Sequence, residues 1–173
     1  MTDTVFHMPL QQIRVTHQSC ATIDGLALDG LRLTASNCQP NTLSQISIGL
    51  HGQTRDIFIH WESFSSADEL HLLYCEETQT LFVGGGTLSA TIRLPAVTII
   101  HENIQVLFWA FEWRRGFVLE LGELDCYLYR STGECVGHAS VDPPYDIDEK
   151  DDAINFRSIV AGSQWIDFPA TKD

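Results

Sequence analysis

Gln45-Ile46-Ser47-Ile48-Gly49-Leu50-His51 alternates apolar and polar side chains, and Arg55-Asp56-Ile57-Phe58-Ile59-His60-Trp61 does so along its Ile57, Ile59 and Trp61 face. A period of two places i and i+2 on one side of an extended chain, which is the pattern of a half-buried strand. Further runs rich in Ile, Val, Thr and Leu lie at Leu10–His17, Leu26–Leu33, Leu88–Leu94, Ala96–Ile100, Ile154–Val160 and Gln164–Phe168. Together they predict an all-β fold with few or no helices: a single-domain antiparallel β-sandwich or curved meander of about ten to fourteen strands. Val106-Leu107-Phe108-Trp109-Ala110-Phe111 is apolar at every position, so as a strand it is expected to be covered on both faces near the middle. The expected core is Ile46, Ile48, Ile57, Ile59, Phe82, Ile92, Ile99, Leu107, Trp109, Leu119, Leu128 and Ile166.

Turn chemistry separates these runs at short intervals. Asp24-Gly25, Asp29-Gly30, His51-Gly52 and Arg115-Gly116 mark turns. Two hairpins share one layout, an aromatic entry, a polar turn with threonine and an exit in Val-Gly: Leu72–Gly84 around Glu76–Thr80, and Cys126–Gly137 around Ser131–Glu134. Gly84-Gly85-Gly86-Thr87 lacks the lysine of a phosphate loop and leads into a strand, so it reads as a glycine turn. Ser66-Ala67-Asp68-Glu69 has capping-box spacing for one short helix continued through Leu70, Leu73 and Tyr74, residues that equally well begin a strand. No linker divides the chain, so residues 1–173 are expected to form one domain with a frayed tail at 170–173.

At 173 residues the chain is long enough for a core without disulfides or metals. Its 23 acidic residues against 10 lysines and arginines give a formal charge of −13. That sign disfavours nucleic acid, whose phosphates need a basic face, and an anionic membrane surface. It steers basic proteins inward instead. Five cysteines without a CxxC pair, and no N-terminal basic region followed by an apolar run, read as reduced thiols in a cytoplasmic protein. Cys126 and Cys135 flank a turn, where a cross-hairpin disulfide is geometrically open beside the plainer reading of two small half-buried residues.

Catalytic constellations are sparse. Seven histidines show no ligand spacing, so no metal and no cofactor is expected. Asp56 and His60 sit four apart on one strand face, where an aspartate can orient an imidazole, but no nucleophile motif accompanies them. Glu120, Glu123 and Asp125 bring three carboxyls within six residues. Paired carboxylates on a sheet are the machinery of glycoside hydrolysis, so a carbohydrate-active or ligand-binding sandwich is the alternative reading. A solvated strand face opposite Leu121, Leu124 and Cys126 is the plainer one.

Asp142-Pro143-Pro144-Tyr145-Asp146-Ile147-Asp148-Glu149-Lys150-Asp151-Asp152 holds six acids and one lysine behind a proline pair. Unpaired carboxylates do not enter cores, and tandem prolines exclude a central strand. An EF-hand is excluded, because Asp151 stands at the loop's glycine position and Arg157 at its terminal glutamate. The stretch is therefore expected to be an exposed partner-binding loop. Its contacts would be Asp142, Tyr145, Asp146, Asp148, Glu149, Asp151 and Asp152, with Trp113 as a further exposed aromatic.

Glu123–Tyr129 (ELDCYLY), Asp142–Tyr145 (DPPY) and Gln164–Pro169 (QWIDFP) give the last third of the chain a layout that resembles a group of uncharacterised bacterial proteins. Small acidic proteins of this kind resemble immunity proteins that neutralise toxins. The resemblance implies a non-enzymatic inhibitor whose partner is a basic toxin or nuclease domain.

Overall fold

The computed structural model describes residues 2–8, 11–19, 30–34, 42–50, 53–61 and 70–169. These residues contain strands and no helix. The antiparallel all-β expectation therefore stands, with one local exception noted below. No helix among the described residues is long and apolar enough to cross a membrane. The chain forms two compact units, Met1–Leu70 with Leu94–Thr98, and His71–Arg93 with Ile99–Asp173. The capping box at 66–69 lies outside the described residues.

The first unit holds β1 (Thr2–Met8), β2 (Gln11–Ser19), β3 (Leu31–Thr34), β4 (Thr42–Leu50) and β5 (Gln53–Trp61), ordered β1-β2-β4-β5-β3. Neighbours are antiparallel except β3, which runs parallel to β5. Cross-strand pairing of Ile46 with Ile57 and of Leu33 with Ile59 lines up one apolar face. Leu33, Ile46, Ile48, Ile57 and Ile59 are all within 1 % of complete burial. Leu43, Phe58 and His60 are buried on the opposite face, which is why Phe58 interrupts the alternation. Asp56 accepts a 2.6 Å hydrogen bond from Ser47 Oγ, its cross-strand partner, while His60 Nε2 has no partner. The expected Asp56–His60 orientation is thus not made.

The second unit is built from three consecutive meanders. They are β6 (His71–Cys75), β7 (Thr80–Gly85), β8 (Leu88–Arg93) and β9 (Thr98–Ile104); β10 (Phe108–Arg114), β11 (Phe117–Gly122), β12 (Asp125–Arg130) and β13 (Cys135–Ser140); and β14 (Tyr145–Glu149), β15 (Ala153–Ser158) and β16 (Gly162–Asp167). The middle sheet is sandwiched. One of its faces sends Phe117, Leu119, Leu121, Cys126 and Leu128 against Ile154, Phe156 and Ile166 of β15 and β16. The other sends Val118 and Tyr129 against Cys75 and Phe82 of the first meander. Every residue of β11 is consequently buried. Complete burial of each such leucine or phenylalanine is worth about 1.5–3 kcal/mol.

Sixteen strands among the described residues exceed the expected number, because Thr2–Met8 and the acidic Tyr145–Glu149, which no expected run covers, also pair. The strands buried at every residue are β7 and β11, not Val106–Phe111. Backbone hydrogen bonds from Gln105 N to Thr87 O and from Phe108 N to Gly86 O tie 105–108 to the β7–β8 turn. Val106 and Leu107 are left 57 % and 42 % exposed, and β10 begins only at Phe108, as an edge strand. A register shift between Phe108 and Ala110 then sends Trp109 to stack on Tyr145, whereas Phe111 meets Phe82. Such a bulge re-aims a side chain to the opposite face. Ile99, Leu107 and Trp109 therefore leave the expected core, whose other nine members are buried.

Gly86 turns at φ 53° directly into β8, as expected of a glycine turn and not a phosphate loop. The two look-alike hairpins are β6–β7 and β12–β13, and their tips touch: Thr78 Oγ1 donates to Ser131 O at 2.6 Å. Cys126 pairs in register with Ala139 and Cys135 with Tyr129, and both thiols are free.

Candidate functional site

The acidic stretch folds as a strand. Tyr145, Ile147 and Glu149 alternate with Asp146 and Asp148, a period of two that the carboxylates obscure in the sequence. Tyr145 and Ile147 pack on the shared core, so Asp146 and Asp148 project to the opposite face. β14 is an edge strand, where the preceding prolines remove no ladder hydrogen bond.

Its six acids divide by their surroundings. Glu149 accepts a 2.6 Å hydrogen bond from Arg115 Nε and lies 3.7 Å from Arg114 Nη1. Arg115 also donates to Asp151 O at 2.9 Å, lies 3.6 Å from the Asp151 carboxylate and covers the Phe168 ring. These contacts raise the Arg115 guanidinium above its usual value, the Glu149 hydrogen bond most of all. Lys150 Nζ lies 2.7 Å from Asp148 Oδ2 and holds that carboxyl below its ordinary range. Asp142, Asp146 and Asp152 have no ion pair among the described residues; Asp146 and Asp152 are exposed and Asp142 is half-buried.

Tyr145 is not a projecting anchor. Its ring stacks on Trp109 at 5.1 Å with an interplanar angle of 11°, and its hydroxyl donates to Gly122 O at 2.8 Å. Burial pushes the phenol well above its usual pKa. Trp113, 52 % exposed, lies on edge strand β10.

The aromatic that accompanies the acids is Trp165. Cross-strand register puts Asp148 opposite Asn155 and Asn155 opposite Trp165, one row running across β14, β15 and β16. Ile154, Phe156 and Ile166 fill the core side, so this row faces outward. Trp165 is 51 % exposed, whereas Asn155 is 6 % exposed and its Oδ1 lacks a hydrogen-bond partner. The adjacent row is Asp146, Arg157 and Ser163. At its end a groove of about 340 Å³ is lined by Pro144, Tyr145, Asp146, Arg157, Ser158 and Ile159. Ile159 and Val160 form the apolar tip of the β15–β16 hairpin, 85 % and 79 % exposed. Sequence reasoning left out Trp165, Asn155 and this tip, because their place beside the acids follows from strand register.

The other carboxyls end in different surroundings. Glu120, 1 % exposed, accepts hydrogen bonds from Ser89 Oγ at 2.6 Å, Asn103 Nδ2 at 3.4 Å and Gln105 Nε2. Burial outweighs these bonds and pushes its carboxyl above the usual range. The Tyr129 hydroxyl lies beside it without a hydrogen bond of acceptable geometry, and its pKa is raised by burial and by Glu120. Asp125, nearer the surface, accepts from Ser140 Oγ at 3.2 Å and contacts His138 Nε2 at 2.7 Å. Glu123 occupies the β11–β12 turn, and Arg130 pairs with Glu134. Among the described residues no group of three or more His, Cys, Asp or Glu side chains is arranged to hold a metal ion.

No protein-family model matches the chain. No curated protein matches it. Among solved structures it is similar to Hsv2 of Kluyvelomyces marxianus, at 12 % identity and a TM-score of 0.31. That likeness covers 60 % of this chain and 34 % of the other, so the chain spans about a third of that protein's length. A likeness this weak carries no argument about function.

Proposed function

We propose that the chain is a non-enzymatic binding protein whose β14–β16 sheet docks a basic protein partner, of the kind represented by a cationic toxin or nuclease domain. The observation that carries this reading is the outward face of that sheet. It joins Asp146 and Asp148 to an exposed Trp165, beside a groove and an apolar hairpin tip. Interfaces place aromatic anchors within a polar rim, and rim charges set the rate of encounter. The formal charge of −13 extends the attraction beyond the contact itself. The rigidity of a three-stranded sheet limits the ordering cost on docking. A catalytic use of Glu120, Glu123 and Asp125 has less support, because Glu120 is enclosed by its own hydrogen-bond partners.

The test begins with capture of the partner from the native host and its purification. Binding kinetics then compare the natural chain with an Asp142→Asn, Asp146→Asn, Asp152→Asn variant at low and high salt. Slower association and a flatter salt dependence are expected, with dissociation little changed. The same association rate and the same salt slope in both chains would rule this face out as the interface.

A further inference from the structure

Resting on the binding role proposed above, the row across β14, β15 and β16 narrows what the partner must present. Three groups meet there in register: the Asp148 carboxylate, the Asn155 amide and the Trp165 indole. A carboxylate accepts hydrogen bonds and carries negative charge, and an exposed indole face attracts cations. Asn155 adds an independent observation. It is 94 % buried, yet Oδ1 has no donor, and an unmet buried acceptor costs about 1–3 kcal/mol. Asn155 thus stands between Asp148 and Trp165 in the row with an acceptor that has no donor of its own. The row offers acceptors and a π-face to a cationic group with several N–H donors.

We propose that Asp148, Asn155 and Trp165 form a subsite for an arginine side chain, carried on a basic extended segment of the partner. Guanidinium suits the row better than ammonium. It is planar, stacks on an indole and directs several N–H donors in fixed directions, so one group can bond the carboxylate and the amide together. The chain already supplies a cation to this carboxylate: Lys150 Nζ sits 2.7 Å from Asp148 Oδ2, on a side chain 52 % exposed and able to swing away. Lys150 is therefore an internal competitor of the incoming arginine. Asp146, one row along the same edge, and the groove beside it receive the flanking residues of the segment.

The probes are tri-arginine and tri-lysine peptides titrated into the full chain. The readouts are isothermal titration calorimetry for every variant and, in chains that keep Trp165, the NMR resonance of its indole N–H, assigned by its loss in Trp165→Phe. A saturable shift is expected with tri-arginine, and severalfold weaker binding with tri-lysine. Asp148→Asn, at a half-buried position, and Trp165→Leu, at an exposed one, should each weaken tri-arginine about tenfold. Lys150→Ala should strengthen it two- to threefold, on the order of a removed surface ion pair.

Two results overturn the subsite: no saturable shift, or equal binding of both peptides that survives Trp165→Leu, which is diffuse attraction to an acidic chain. Failure here is distinguishable from failure of the binding role. If tri-arginine does not bind while the triple asparagine variant still slows the captured partner, the subsite falls and the acidic interface stands. If tri-arginine binds while the partner is indifferent to that variant and to Asp148→Asn, the row binds guanidinium but the partner docks elsewhere, which overturns the assignment of the row to the partner's arginine.

Discussion

Glu120 and His60 are buried ionisable groups with opposite consequences. Burial raises the Glu120 carboxyl above its unfolded value, so its stabilising contribution is complete below that value and is lost as pH rises through the raised one. Burial, reinforced by Arg32, lowers His60, so its cost appears as pH falls below the ordinary imidazole range. Glu120→Gln keeps the shape and removes the titration. Its melting temperature should fall less than that of the natural chain on the alkaline side, and parallel curves would contradict the assignment. Glu120→Ala strands the Ser89, Asn103 and Gln105 donors and should cost about 3 kcal/mol in urea unfolding. Among the described thiols, Cys135 is exposed, whereas Cys75 is buried with its pKa pushed up to about 11 and Cys126 is buried and raised. A thiol reagent should accordingly modify Cys135 first, and reach Cys75 and Cys126 only on unfolding. Equal rates at all three would show that the β12 and β6 packing is wrong.

At the scale of elements, β14 and β10 show how charge and hydrophobicity mislead when read without their neighbours. Tyr145-Asp146-Ile147-Asp148 has the alternation of an edge strand, yet its charge density reads as a loop. Val106–Phe111 has the composition of a central strand. The bonds that anchor 105–108 to the β7–β8 turn and the bulge after Phe108 make it an edge. Close approach of the sheets sets two glycine positions. A Cβ on Gly137 would stand 2.3 Å from Ile166 Cγ2, and one on Gly84 would meet the Phe108 ring at 2.6 Å. Gly137→Ala should force β13 away from β16 and cost about 1–3 kcal/mol, as overpacking does. A chemical-denaturation midpoint unchanged from the natural chain would refute that contact. Arg115 joins the β10–β11 turn to the acidic hairpin through Glu149 and the Asp151 carbonyl. Arg115→Ala should lower the urea midpoint only slightly, with the difference shrinking at high salt, because the pairs are at the surface.

Over the whole molecule, the period-two runs, the frequent turns and the scarcity of helix signals determine an all-β chain, because alternation is a local property that any cover on one face will satisfy. The sequence also determines the net charge of −13 and keeps the acidic stretch out of any central strand, since tandem prolines and unpaired carboxylates do not fit one; that it forms an edge strand and not a loop is decided by its pairing with β15. Nine of the twelve expected core residues follow from the same alternation; Ile99, Leu107 and Trp109 do not, because exposure there depends on which strand ends the sheet. Only the tertiary structure selects β11 as a strand covered on both faces, since that requires a second and a third sheet to close on it. It alone separates Glu120 from Asp125, one enclosed between sheets and the other at the surface with His138. It alone brings Asp148, Asn155 and Trp165 into one row. These three lie on different strands, and their meeting depends on registers set by turn geometry and core packing, which no local stretch of sequence encodes by itself.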